Sequence, residues 1–105
     1  ADHTLVFDEV DAGIGGRAAE AVGSRLRRLG EHRQVLCVTH LPQIASFAQH
    51  HFRVEKIKRG GRTLTEIQNL DGAERKAELA RMLSGSQITS AVLEHAEQLL
   101  KANAG

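Results

Sequence analysis

The stretch "TLVFDEVDAGIGG" at residues 4–16 joins an apolar run to two adjacent acids, a third acid and three glycines. Its first part, "TLVF" at 4–7, is a short continuous apolar segment, typical of a parallel strand covered on both faces. Apolar residues at helical spacing follow over 16–30, and a second apolar run, "QVLCV", occupies 34–38. Strand, helix and strand in this order predict a βαβ unit with parallel strands and a right-handed crossover.

Downstream, the sequence predicts a short helix and a hairpin. The helix covers 41–50, with Pro42 in its first turn, a position that suits proline. The segments 51–58 and 62–70 flank Gly60-Gly61, which is a hairpin-turn signal.

Two further helices complete the predicted fold. Asp71 followed by Glu74 resembles a capping box for a helix over 73–83, which Ser84-Gly85 ends. Apolar residues at helical spacing predict the last helix over 89–102. The fold class is therefore α/β, with parallel strands, a crossover helix, an antiparallel hairpin and two C-terminal helices.

Composition sets limits on the function. The chain has 105 residues, enough for one domain, and a formal net charge of +1, which gives no global argument for nucleic-acid binding. No run approaches the roughly 20 apolar residues of a membrane span, and no signal peptide is recognisable. Aromatic residues make up 3% of the chain, so a base-stacking platform is not expected.

Two local features have a structural and a functional interpretation each. The stretch "EKIKRGGR" at 55–62 holds four cationic side chains: it is either a solvated hairpin tip that protects a sheet edge or a phosphate-contacting patch. Cys37 is the single cysteine and lies within an apolar strand, which predicts a small buried hydrophobic residue and fits a reducing cytoplasm.

Polar side chains follow both predicted parallel strands at the point where each strand ends. Asp8 and Glu9 come directly after the first strand, and Thr39 and His40 after the second. Neighbouring strands lie about 4.8 Å apart, and ligands of open α/β sheets gather at the carboxyl ends of the strands. We therefore expect Asp8, Glu9 and His40 to converge on one edge.

These residue types suit the chemistry of a nucleotide site. Mg²⁺ prefers one or two carboxylates together with substrate phosphates, a role that suits Asp8. Glu9 can orient or deprotonate an attacking water, and His40 can donate a hydrogen bond to a γ-phosphate oxygen. The glycines at 13, 15 and 16 allow the backbone to approach a ligand or another protein closely.

Each residue also has an ordinary structural interpretation. An acidic pair after a strand often begins a polar loop, Asp11 could cap the helix that follows, and a histidine after a strand is commonly a surface residue. The combination of strand, Asp-Glu, glycine-rich loop, helix, strand and Thr-His favours a functional site.

The same residues resemble a known family. "TLVFDEVDAGIGG" resembles the Walker B motif and D-loop of ABC-type ATPases, in the variant shared by the chromosome-maintenance SMC proteins, and "QVLCVTHLPQIA" resembles their switch-histidine segment. Together with "RKAELARMLSG", these sequence segments are most similar to the RecN family, bacterial SMC-like proteins of DNA double-strand-break repair. The similarity covers 4–101 and implies a P-loop ATPase head, joined to a coiled coil, that pairs head-to-tail around two ATP molecules.

Carried onto this chain, the resemblance assigns a role to each site residue. It implies that Asp8 binds Mg²⁺, that Glu9 is the catalytic base and that His40 is the switch histidine. The D-loop facing the partner head and its nucleotide would comprise Asp11, Ala12, Gly13, Ile14, Gly15 and Gly16. Many ABC transporters have Pro-Thr-Ser after the acidic pair, whereas this chain has Val10-Asp11-Ala12. The difference argues against a transporter.

Two family motifs have no match in the chain. It contains no G-x-x-x-x-G-K-[ST] loop for phosphates and no Ser-Gly-Gly signature before the acidic pair. Residues 1–105 therefore resemble the C-terminal portion of a head, with the Walker A strand expected beside 34–38. Alone, the chain is expected to bind ATP weakly or not at all, to be inactive and to self-associate through an open strand edge.

The resemblance also implies partners and a location. They are the N-terminal part of the same head, a second head in a homodimer, and DNA through the full-length protein, in the bacterial cytoplasm at the nucleoid. Two other functions stay open: a self-contained metal-dependent phosphohydrolase or nuclease that uses Asp8, Glu9, Asp11 and His40, and a non-catalytic head–head interaction module.

Overall fold

The computed structural model describes residues 3–8 and 13–104. Within them the chain forms two separate two-stranded sheets and four helices. In chain order the elements are β1 (Leu5–Asp8), α1 (Gly16–Gly30), β2 (Val35–Val38), α2 (Pro42–Ala45), β3 (His51–Arg59), β4 (Arg62–Leu70), α3 (Gly72–Ser84) and α4 (Ser90–Asn103). The α/β prediction is confirmed at this level.

The predicted βαβ unit is present. Strands β1 and β2 pair in parallel, from Leu5 opposite Val35 to Asp8 opposite Val38, with α1 as the connection. The prediction that both faces are covered is wrong for the described chain, because Val6 is 65% exposed and Val38 is 61% exposed. These side chains share one face of the pair, while the other face is half-buried.

Helix α1 packs against the segment after β2 through a close approach at Gly23. This glycine is buried, and a Cβ placed on it would overlap the ring of Phe47. The absence of a side chain at Gly23 therefore lets Phe47 lie directly against the helix backbone.

The predicted hairpin is confirmed. Strands β3 and β4 pair antiparallel over their full length, from His51 opposite Leu70 to Arg59 opposite Arg62. Gly60 and Gly61 have φ of 56° and 76°. Positive φ at both central residues is what the type I′ hairpin turn requires, and glycine adopts it without strain.

The helix predicted over 41–50 is shorter than expected, since α2 ends at Ala45. After Ala45 the chain continues in tighter turns, in which the amides of Phe47 and Ala48 donate to the carbonyls of Ile44 and Ala45. Arg27 donates to the carbonyl of Phe47, and Arg75 to the carbonyl of Ala48, so both carbonyls are satisfied without a further helical turn.

The capping box predicted at α3 is wrong in its detail. Asp71 occupies the N-cap position but its side chain makes no capping hydrogen bond, and Glu74 instead accepts from Gln68 Nε2 at 2.9 Å. The predicted stop is confirmed, as Gly85 follows the helix with φ of 76°. Thr89 is the N-cap of α4, and its hydroxyl accepts from the Val92 amide at 3.2 Å.

The buried core lies where α2, α3 and α4 meet. It consists of one large side chain, Leu79, among Ala45, Ala80 and Ala96, with leucines, a valine and Met82 packed around it. Ala96 of α4 is fully buried within it. None of the helices in the described ranges has the length and apolar character that crossing a membrane requires.

Candidate functional site

The parallel register brings the two chain segments singled out by sequence to the same edge of the β1–β2 pair. Asp8 is the last residue of β1 and lies opposite Val38, and His40 follows two residues later. Both Asp8 and His40 are exposed. The predicted juxtaposition at a shared edge is confirmed for these two residues, while their chemical roles stay predictions.

The rest of the predicted site is only partly described. Glu9, Asp11 and Ala12 lie outside the described residues. Gly13 and Gly16 have φ of 74° and 55°, where a side chain would be strained, and no described atom lies within 4 Å of a Cβ placed on either. Backbone conformation therefore requires glycine at both positions, and their predicted contact with a partner head stays a prediction.

Two further D-loop positions lie within the described residues. Gly15 is the N-cap of α1 in extended conformation, which any residue can adopt, and Ile14 is half-buried. Nothing in their geometry assigns them a ligand.

A side-chain hydrogen bond shapes the turn that carries His40. The Thr39 hydroxyl accepts from the Leu41 amide at 3.0 Å, which turns the chain directly after β2. Leu41 is the N-cap of α2 and Pro42 opens the helix. The chain thus leaves the sheet abruptly, and His40 is held at the edge.

Three helices anchor the segment that follows His40. Arg27 of α1 donates from Nη1 to the Phe47 carbonyl at 2.8 Å, and Arg75 of α3 donates to the carbonyl of Ala48. Asn103 of α4 donates to the hydroxyl of fully buried Ser46 at 2.9 Å. Sequence reasoning missed these residues, because single polar side chains on helices resemble solvated positions.

The two arginines lie close enough to influence each other. Burial, and then the neighbouring charge of Arg27, lower the pKa of Arg75 below its ordinary value. Both guanidinium groups are held beside each other by their hydrogen bonds to the carbonyls of Phe47 and Ala48.

A buried carboxylate joins the hairpin to α3. Glu78 is 6% exposed and accepts from Arg81 Nε at 2.9 Å and Nη2 at 2.5 Å, while Arg53 Nη1 of β3 lies 3.8 Å from Glu78 Oε1. The Arg81 hydrogen bonds are the main reason that the pKa of Glu78 lies below its ordinary value.

The pKa of His51, the first residue of β3, is also lowered, by burial and by the charge of Arg75.

We expect the free energy of unfolding to fall in two stages on acidification. Both His51 and Glu78 have a depressed pKa in the folded protein, so the unfolded chain binds more protons and acid favours unfolding. The His51 contribution is lost as pH falls below its ordinary 6.5, and the Glu78 contribution as pH falls below 4.5. Urea denaturation across this pH range measures both stages.

The variant Glu78→Gln separates the two stages. Stability of this variant should be lower at neutral pH and should depend less on pH below 4.5, the ordinary pKa of the residue. Glu94→Gln, at an exposed position of α4, is the matched control and should keep the parent profile. An unchanged acid limb in Glu78→Gln would contradict this assignment.

A large open groove lies beside the edge that carries His40. Its volume is about 1020 Å³, and its lining includes β2, the Thr39-His40 turn and the base of the hairpin. The lining contains exposed apolar side chains: Leu36, Val38, Phe52, Val54 and Ile67. Such a concentration of exposed apolar surface is typical of an interface with further protein.

The described residues alone do not form a metal centre. Across 3–8 and 13–104, no three His, Cys, Asp or Glu side chains cluster so that they could hold an ion. Asp8 nevertheless fits one part of a magnesium site, because it presents an exposed carboxylate at the edge. Cys37, predicted to be buried, is half-buried, and it forms no disulfide.

The fold and the edge define an α/β segment whose parallel strand pair presents an acid and an imidazole together. No family model matches the chain. Curated relatives do: it is 58% identical over 97 residues to the "DNA repair protein RecN" of Deinococcus radiodurans, and 54% identical to that of Vibrio cholerae, each match covering 92% of this chain. The Bacillus subtilis protein of the same name is 41% identical over 98 residues.

This similarity over almost the whole chain shows that it belongs to the RecN family. The chain spans only 17–18% of the length of the relatives that it matches. It therefore corresponds to a limited segment of them, and the activity of the whole protein has to be inferred separately.

Proposed function

We propose that this chain is the C-terminal part of an ATP-hydrolysing head in a DNA-repair protein that acts on double-strand breaks. The observation that carries the proposal is the parallel register of β1 and β2, which delivers Asp8 and the His40 turn to one edge. The names of the relatives, all "DNA repair protein RecN", support the repair role.

The residues of this edge would divide the chemistry. The carboxylate of Glu9 would accept a proton from the attacking water, and the His40 imidazole would donate a hydrogen bond to a terminal phosphate oxygen. Asp8 would hold Mg²⁺, which when bound with ATP neutralises charge on the phosphates. The glycine-rich turn at 13–16 would contact a second head.

Further parts of the head would come from elsewhere in the protein. The phosphate-binding loop is absent from the sequence, and the apolar groove beside β2 offers a surface on which another segment could pack. Packing there would cover Val38 and Leu36, which are exposed in the described chain. A strand of that segment, paired with β2 on the side away from β1, would then bring the phosphate-binding loop next to His40.

An assembly experiment tests the proposal. This chain replaces the 97 matched residues in the Deinococcus radiodurans relative, and Mg²⁺-dependent release of phosphate from ATP is measured. We expect hydrolysis by the chimaera, and none by this chain alone or by the relative without the segment. Hydrolysis by this chain alone would overturn the proposal in favour of a self-contained enzyme, and an inactive but folded chimaera would favour an interaction module.

A further inference from the structure

The β3–β4 hairpin has two faces with different surroundings. One face contacts α3: Gln68 donates to Glu74 at 2.9 Å, Arg53 lies near Glu78, and Leu70 is 6% exposed. Side chains alternate along a strand, so the residues between these point to the opposite side. That opposite face is turned away from α3 and is exposed along its length.

Towards the hairpin tip, the outward face carries an ordered set of lysines and threonines. Lys56 lies opposite Thr65, and Lys58 lies opposite Thr63. All four side chains are exposed, and we call them the lysine–threonine face. The outward positions of β3 and β4 include no acid, since the remaining ones are Phe52, Val54, Ile67 and Asn69.

Positive charge at the tip is left uncompensated by the fold. Arg59 and Arg62 lie directly opposite each other at the tip, but they belong to the face that contacts α3, together with Glu55 and Glu66. In the described ranges, neither lysine of the lysine–threonine face has a carboxylate within 4.0 Å. The nearby Glu55 belongs to the other face, where Arg53 lies 3.1 Å from it.

We propose that the lysine–threonine face binds the sugar-phosphate backbone of DNA. The inference rests on the proposed function for the choice of DNA as the anionic partner. Lysine, arginine and threonine hydroxyls are the groups with which proteins contact phosphates. Alternate lysines of one strand lie roughly 7 Å apart, so the face can reach successive phosphates.

Recognition at this surface is independent of base sequence. The tip has no aromatic side chain on which a base could stack, as Phe52 lies at the opposite end of β3. Flexible lysines and hydroxyls hold a backbone in position but do not read base edges. The hairpin thus contacts duplex DNA of any sequence, with an affinity that falls steeply with salt.

The test measures binding of this chain to a fluorescent 30-base-pair duplex by anisotropy across a salt series. The variant Lys56→Gln/Lys58→Gln should reduce the slope of log affinity against log salt by about 2, one for each lysine that no longer neutralises a phosphate. The control Lys76→Gln/Lys101→Gln removes the same charge from α3 and α4 and should leave the slope within experimental error. Circular dichroism confirms that each variant folds.

A second variant removes hydrogen bonding without changing charge. Thr63→Val/Thr65→Val keeps two β-branched residues in β4, so the hairpin is retained while both hydroxyls are removed. Weaker binding at low salt with a nearly unchanged slope would support direct contact by the face.

Several outcomes would overturn the inference. They are an equal reduction of the slope in both lysine variants, no binding of the duplex by the parent chain, and an effect of the variants confined to phosphatidylserine vesicles, which would indicate a lipid surface instead. This test is separate from ATP hydrolysis by the chimaera. If the chimaera hydrolyses ATP but the lysine variants bind DNA like the parent chain, only the proposed DNA-contact surface is contradicted. If the DNA result is as expected but the chimaera does not hydrolyse ATP, only the proposed catalysis is contradicted.

Discussion

Glu9→Gln in the chimaera should lower the rate of ATP hydrolysis by roughly 10²–10⁴-fold, the contribution typical of a positioned general base. The amide is close in size and shape to the carboxylate but cannot accept the proton of the attacking water. ATP binding should survive, because the substitution changes neither Asp8 nor the phosphate-binding loop, which the Deinococcus radiodurans part of the chimaera supplies. Steady-state phosphate release and filter binding of radiolabelled ATP measure the two quantities separately.

Glu20→Gln is the matched control for this substitution. Glu20 is an exposed residue of α1, so the same chemical change there should leave hydrolysis unaltered. Equal rates for Glu9→Gln and the parent chimaera would remove Glu9 from catalysis. A parallel loss of ATP binding would instead assign Glu9 to the ligand site, which is a different role from the proposed one.

Much of this edge could be predicted from the sequence because its geometry depends on few quantities. Two apolar runs separated by a helix-length segment predict parallel neighbours, and parallel neighbours end on the same side. The rule places the ends of both strands at one edge, and the observed register, with Asp8 opposite Val38, agrees with it. The prediction needed neither the orientation of a side chain nor a contact between distant helices.

Features that the sequence did not reveal depend on contacts between distant residues. The segment after α2 is anchored by Arg27 and Arg75, which lie 20 and 27 positions from the carbonyls of Phe47 and Ala48 that they contact. The spacing of apolar residues along a short segment cannot reveal contacts between residues that are so far apart in the sequence. The exposed face of β1 and β2 has a related cause: an apolar pattern reports burial in the complete protein, and Val6 and Val38 are uncovered in the described chain.

Leu79→Ala should destabilise the fold by about 2–5 kcal/mol, the range for buried leucines. Leu79 is 0% exposed, and the buried residues packed with it are all alanines. Alanine has no side-chain torsion that moves a heavy atom, so any relaxation must come from the partly buried side chains around the cluster, such as Met82 and Leu83. The cost should therefore lie within the usual range for a buried leucine and depend on how far these side chains fill the cavity.

Two controls distinguish cavity formation from a general effect of losing a leucine, with urea denaturation of the chain as the measurement. Leu79→Met conserves volume and should cost less than about 1.5 kcal/mol. Leu64→Ala removes the same atoms from a side chain that is 41% exposed in β4 and should cost much less than Leu79→Ala. Because Ala45 belongs to α2, Leu79 also joins α3 and α4 to the segment that follows His40. A destabilisation below about 1 kcal/mol for Leu79→Ala would mean that these three helices do not meet around Leu79, and the anchoring of the His40 turn would then lack its apolar support.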